Sequence, residues 1–145
     1  MTDYRFQHPG GCACGAVTYL LHCNQDLDEL TPRACQCEFC LPRTASYVSA
    51  AGARLEVRVR DLRFLYSHVF GTYTADFMHC GRCNHLVYVS SEIDGQVRGL
   101  VLAQSLRDVI DAPATETHYD DESLEQRLQR RAANWIPELV VLEQG

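Results

Sequence analysis

The sequence predicts a mainly β domain whose turns carry cysteine knuckles and whose last part holds a helix. Three observations point there. Short runs of strand formers are broken by turn residues, cysteines gather where those runs meet, and helical patterning sets in near residue 120. In chain order, Ala16 to Cys23 is rich in strand formers and follows directly on a cysteine pair. Tyr47 to Ser49, Leu55 to Val59 and Leu62 to Tyr66 are the next expected strands. In the second of these Leu55, Val57 and Val59 alternate with Glu56 and Arg58, the period of a half-buried strand. Thr72 to Met78 runs into the last cysteine pair and His85 to Val89 runs out of it, so a hairpin with a knuckle for its turn is expected. Val97 to Ala103 is one further apolar strand.

The helix is expected to start at a cap supplied by Asp120, Asp121 or Ser123 and to run to about Asn134. Leu124, Leu128 and Trp135 fall on one face, with Arg127, Arg130 and Arg131 towards the other. Pro137 stops simple continuation. Packing on a sheet edge is the plain expectation for this helix, and a lid over an open site is the sharper one.

At 145 residues the chain reads most simply as one domain, residues 1–145, large enough to bury a core. Met1 to Phe6 has no apolar core of signal-peptide length, and no run reaches the ~18 apolar residues of a membrane span. A cytoplasmic protein with reduced thiols is therefore expected, with no membrane partner. Net charge is −6, and all 13 basic residues are arginine. Without lysine, Schiff-base chemistry is excluded. An acidic chain without a basic cluster is also a poor binder of nucleic acid.

Seven of the eight cysteines fall into three groups: Cys12 and Cys14; Cys35, Cys37 and Cys40; Cys80 and Cys83. Sulfurs one or two residues apart do not usefully pair as disulfides, but they can converge on one ion. Tetrahedral zinc takes four thiolates at ~2.3 Å from two knuckles distant in sequence. Gly11 and Gly15 bracket the first pair and let the backbone bend round the ion, while Asn84 after the last pair tolerates left-handed geometry. Cys12, Cys14, Cys80 and Cys83 thus make a closed four-sulfur site, suited to zinc and also to iron. Cys35, Cys37 and Cys40 offer three ligands within six residues, with no fourth nearby. Three protein ligands plus an exchangeable one is the pattern of a catalytic zinc. Three thiolates leave such a zinc formally −1 and a weak Lewis acid, better fitted to hold a thiol substrate as thiolate than to hydrolysis. The expectation is two zinc ions, one structural and one of catalytic type.

The remaining candidates have plainer readings. Cys23 reads as a buried structural cysteine. His79 and His85 flank the last knuckle as strand-surface residues or as donors behind the ligands. Glu38 is an acid or base beside the open site, or a solvated loop carboxylate. Arg33 and Arg43 either offset the charge of the middle cluster, hold a substrate carboxylate, or are simply solvated. Tyr66 and Ser67 stand where a pocket wall could lie.

The run Gly-Cys-x-Cys-Gly-x-Val-x-Tyr over Gly11 to Tyr19, then Cys-x-Cys-x-x-Cys over Cys35 to Cys40, then Cys-x-x-Cys over Cys80 to Cys83 resembles the glutathione-dependent formaldehyde-activating enzyme family, which includes centromere protein V. The likeness covers roughly residues 10–107, ending at Gln104-Ser105-Leu106-Arg107. It implies an Mss4-like β-tent with two zinc sites: Cys12, Cys14, Cys80 and Cys83 for the structural ion, and Cys35, Cys37 and Cys40 for the catalytic one. It implies carbon–sulfur lyase chemistry, as in S-hydroxymethylglutathione synthesis from glutathione and formaldehyde. Gln36, Asn84 and His79 stand where the family usually has histidine, glycine and phenylalanine. Two rivals stay open: a thiol carrier without catalysis, and a partner-binding module in which both zincs are structural.

Overall fold

The computed structural model describes residues 4–36, 40, 42, 45–50, 52–69, 74–110, 112–118 and 121–143. They form a mainly β structure of two sheets with one helix, α1 (Leu124–Asn134), near the C-terminus. The first sheet contains β1 (Phe6–Gly11), β2 (Val17–Cys23), β5 (Arg54–Val59) and β11 (Glu138–Glu143), in the order β1-β2-β5-β11. The second contains β3 (Arg33–Cys35), β4 (Ser46–Val48), β6 (Leu65–His68), β7 (Asp76–Cys80), β8 (Leu86–Ile93), β9 (Gln96–Leu102) and β10 (Thr115–Thr117). Its order is β10-β3-β4-β9-β8-β7-β6. Most neighbours are antiparallel, but β11 runs parallel to β5 and β10 parallel to β3.

The alternation read in β5 places Leu55, Val57 and Val59 in the core, each at most 1% exposed. Tyr19, Leu21 and Cys23 from β2 and Tyr88 and Val101 from the second sheet complete that layer. On the other face of β5, Glu56 accepts from Arg58 at 2.8 Å and from Arg54 at 3.2 Å, with His22 at 3.8 Å. The hydrogen bond from Arg58 holds this carboxyl below its ordinary range, against the opposing pull of burial. Paired in this way, an acidic residue fits a strand whose outer face is nearly covered.

The sheets are also tied by backbone. Gly99 and Ile136 exchange hydrogen bonds of 3.0 and 2.8 Å, and Arg107 donates to the Pro9 carbonyl at 2.9 Å. Beside the second tie Tyr19 donates to Ser105 Oγ at 2.7 Å, and Ser105 passes its own proton to a carbonyl, that of Leu102 at 2.7 Å or of Val87 at 3.2 Å. Ser105 is thus a structural residue: it satisfies a phenol that the core buries.

Two expectations are corrected. Leu62 to Phe64 is a 3₁₀ turn, and the strand begins only at Leu65. Asp61 is the reason, since its carboxylate accepts from the Arg63 N–H at 2.9 Å and caps the turn. Hydrogen bonds from the Arg63 side chain and N–H draw that carboxyl down to about 2. The helix is capped by Ser123, which accepts from Gln126 N–H while Gln126 reaches back to the Ser123 N–H. Its faces are not as expected: Leu124 is 48% exposed, whereas Arg131 is 7% exposed. Arg131 lies over the Trp135 ring at 5.0 Å and donates to Thr74 O and Oγ1 and to Ser91 Oγ. Burial, with Arg130 and Arg127 close by, lowers its pKa to about 10, so it stays charged at neutral pH. The long aliphatic stem and these acceptors let an arginine do what the leucines were expected to do.

Arg131 therefore pins α1 to the second sheet. Arg131→Ala should lower unfolding free energy by about 2–4 kcal/mol, the loss of charged hydrogen bonds and a cation–π contact. Urea denaturation checks this, and a loss under about 0.5 kcal/mol would show a surface role instead.

Candidate metal centre

The first knuckle is the turn between β1 and β2, and the second is the turn between β7 and β8. Each belongs to a different sheet, and the folded chain brings the two together. Sγ of Cys12, Cys14, Cys80 and Cys83 all lie within 4.8 Å of one another. Cys14 Sγ is 3.6 Å from both Cys12 Sγ and Cys80 Sγ. Four thiolates at ~2.3 Å from a central ion stand about 3.8 Å apart in a tetrahedron, so these spacings fit a tetrahedral metal ion. They are far too long for disulfides.

Local sequence explains why the sulfurs converge. Gly11 sits at φ 151°, and a Cβ there would meet Val17 O at 2.4 Å and Thr18 Cα at 2.8 Å. That close approach lets Cys12 N–H donate to Val17 O at 2.9 Å and Val17 N–H donate to Cys12 Sγ at 3.3 Å. In the second knuckle Asn84 adopts the left-handed conformation expected of it, at φ 62°. Its N–H closes the turn onto Cys80 O at 2.7 Å, and Cys80 N–H donates to His85 O at 3.0 Å. Tyr66 donates to the Asn84 side-chain oxygen and stacks on His79 at 5.2 Å. The capped 3₁₀ turn at 62–64 supports the knuckle from below. The Phe64 carbonyl accepts the Gly81 N–H, and the Phe64 ring lies 5.4 Å from the Arg82 guanidinium.

The sulfurs sit in a field of N–H groups. Burial pushes the Cys80 thiol up to about 12, although the N–H groups of Cys83 and Arg82 pull the other way. Burial also raises Cys83, but there it is outweighed by the N–H groups of Cys14 and His85, the His85 ring and Cys80, which bring it down to about 5. One thiol is thus ready to ionise at neutral pH. A dication would ionise the rest, because coordination deprotonates thiols. His85 is a donor behind the ligands, and His79 is buried with Nδ1 2.8 Å from Phe77 O. Cys23 is fully buried, donates to Gln25 O at 3.3 Å and takes no part in the cluster.

The middle group is only partly described. Cys37 lies outside the described residues, as do Glu38 and Arg43. Cys35 ends β3 half-buried, and Cys40 is 2% exposed. Both belong to a second core cluster with Ala45, Tyr47, Ala75, Val89 and Trp135. Cys40 O accepts from Ala45 N–H at 3.1 Å, and Cys40 Sγ lies 3.1 Å from the Tyr47 hydroxyl. Arg33 is exposed at the start of β3, which fits solvation. In the second sheet β3 and β7 stand four steps apart, in the order β3-β4-β9-β8-β7. At about 4.8 Å per step that is roughly 19 Å, so Cys35 stands apart from the four-sulfur cluster. Nothing in the sequence marks Tyr47 as a site residue: it lies inside an expected strand, and its distance to Cys40 is a tertiary fact.

No family model and no curated protein matches this sequence. Among solved structures it is similar to the crystal structure of a Rhodobacter sphaeroides protein from structural genomics, with a TM-score of 0.55 and 24% identity. The match covers 75% of this chain and 99% of that one. Such a likeness speaks to the fold: nearly the whole of that protein is matched within this one.

Gly11→Ala should disrupt this centre, because both its φ and its clearance from Val17 O exclude a side chain. A loss of at least about 2 kcal/mol is expected, together with weaker metal retention. Metal content measured against thermal unfolding checks it. Unchanged values in both would show that the turn has no need of glycine.

Proposed function

We propose that this chain is a two-zinc protein acting on a small thiol adduct, with glutathione plus an aldehyde as the leading pair. The observation that supports this most is the separation of two cysteine groups. One is a complete four-sulfur set joining the sheets. The other, holding Cys35 and Cys40, lies in a different core cluster about four strands away. A four-thiolate zinc is closed and structural, whereas Cys35, Cys37 and Cys40 leave one position for an exchangeable ligand. In this reading the fold is the Mss4-like β-tent, which two sheets joined at a metal clamp are consistent with.

A zinc ion held by those three cysteines would favour the thiolate form of a bound thiol. The thiol sulfur adds to the carbonyl carbon of the aldehyde, the C=O π pair moves to oxygen, and the oxygen takes up a proton. The product is an S-hydroxyalkyl thioether, and the reverse step expels the thiol, as expected of a carbon–sulfur lyase. Cys35 is half-buried and Cys40 is buried. Clustered cysteines that serve as metal ligands suit a cytoplasmic setting, where thiols stay reduced. Among the described residues no helix is long and apolar enough to cross a membrane.

Native mass spectrometry with and without millimolar glutathione tests this reading. Two zincs and a glutathione adduct are expected, with one zinc and the adduct lost together in Cys37→Ser. Aldehyde–thiol exchange should also run faster than in buffer with free zinc. An adduct without acceleration would make the protein a thiol carrier. Two zincs with no adduct would favour a partner-binding module.

A further inference from the structure

We propose that Cys14 is a modification site: its sulfur is where hydrogen peroxide attacks the metal-loaded four-cysteine centre, and Cys80 then captures the oxidised sulfur. The inference rests on the reading of Cys12, Cys14, Cys80 and Cys83 as one metal centre and adds the order in which its sulfurs react.

Coordination deprotonates every thiol of such a centre, so acidity does not tell the four apart. Hydrogen bonding and exposure do. Cys12 Sγ accepts the Val17 N–H at 3.3 Å. Cys80 Sγ accepts from the N–H groups of Cys83 and Arg82, and Cys83 Sγ from those of Cys14 and His85 and from the His85 ring. Among the described residues no N–H group donates to Cys14 Sγ, whose contacts are the sulfurs of Cys12 and Cys80, each at 3.6 Å. The turn's own donors point elsewhere: the Cys14 N–H serves Cys83, and the Gly15 N–H donates to Cys12 O at 3.3 Å. Cys14 is also the exposed member of the set, while Cys12 and Cys83 are half-buried and Cys80 is buried.

A hydrogen bond to a thiolate stabilises the charge that a nucleophile must give up. The sulfur that accepts none is the strongest nucleophile of the four, and exposure lets an oxidant reach it. The Arg60 guanidinium stands by the same turn, with Nη2 3.7 Å from where a Cβ on Gly15 would lie, and its charge favours departure of an anion.

In the first step Cys14 Sγ attacks one peroxide oxygen. An S–O bond forms, the O–O bond breaks and hydroxide leaves. In the second step the Cys80 thiolate attacks the sulfenic sulfur, an S–S bond forms, the S–O bond breaks and a second hydroxide leaves. Two solvent protons turn both hydroxides into water. Each sulfur gives up one electron, and the peroxide takes the two. Cys80 is the partner because Cys12 lies two residues from Cys14, a spacing that does not usefully close a disulfide. The new bond would span the two sheets, and two remaining thiolates are too few to keep the ion.

Peroxide treatment of the zinc-loaded wild-type chain tests this, with dimedone as the trap for sulfenic acid. Trypsin cuts after Arg5, Arg33, Arg63 and Arg82, which puts Cys14 in peptide 6–33, Cys80 in 64–82 and Cys83 in the next one. Fragment masses within 6–33 separate Cys14 from Cys12 and Cys23. Dimedone should mark Cys14 on the order of tenfold faster than Cys12, Cys80 or Cys83, the difference made by one charge-assisted hydrogen bond. Without dimedone, peptides 6–33 and 64–82 should become joined through Cys14 and Cys80, in step with zinc release. First marking at another of the four, or equal rates at all of them, would overturn the proposal and leave the metal centre standing. A bond from Cys14 to any other cysteine would overturn the capture by Cys80. Equal labelling of all four cysteines in loaded and chelated protein would show that these sulfurs hold no ion, and the metal reading would fall with the proposal.

Discussion

The rest of the structure depends on the convergence of four sulfurs from two hairpin turns. Cys12 and Cys14 belong to a turn of the four-stranded sheet, and Cys80 and Cys83 to a turn of the seven-stranded one. No other grouping of metal-ligand type occurs among the described residues. The contacts around it are built to hold those turns. Gly11 permits the approach of β1 to Val17, Asn84 takes the left-handed position, and the capped 3₁₀ turn supplies the Phe64 carbonyl below Gly81. Cys14 Sγ stands 3.6 Å from Cys80 Sγ, and Cys80 and Cys83 differ in acidity, the one raised by burial and the other lowered by surrounding N–H groups. An ion bound by the four sulfurs would join the two sheets, and its binding free energy would become folding free energy.

Cys35 and Cys40 stand in different surroundings. Cys35 ends β3, which pairs with β4, and Cys40 packs with Tyr47 and Trp135, the latter just past the end of α1. Arg131 is the connection between the helix and this region, since its guanidinium lies over the Trp135 ring and reaches Thr74 and Ser91. The helix expected to rest on a sheet edge is thus anchored through a buried cation. A change in how α1 seats would be felt by the packing around Cys40.

What the sequence made legible was local. The knuckles, the hairpin between them and the inward face of β5 follow from spacings of two to four residues, which one stretch of chain declares by itself. Strands β1, β3, β10 and β11 were not expected. Phe6–Gly11 carries Pro9 and two glycines, and the pairing of β5 with β11 joins Leu55 to Leu139, far apart in the chain. Such strands exist because a partner is present, and no periodicity reports that. The Leu62–Phe64 turn was hidden by apolar composition, although Asp61 before it was a visible capping signal. In the sequence Arg131 falls towards the face opposite Leu124 and Leu128, because its charge outweighs its stem in any hydropathy pattern; only Trp135 four residues on hints otherwise. The spacing of Cys35, Cys37 and Cys40 is plain in the sequence, and Cys37 lies outside the described residues.

Hydrogen exchange followed during metal removal tests the central claim most directly. With the four-cysteine ion chelated, the amides of Cys12, Val17, Cys80 and Asn84 should lose protection together, and the loss should spread into both sheets as they separate. Retained protection at these four amides in metal-free protein would contradict the account, because the two sheets would then be held by packing and backbone alone.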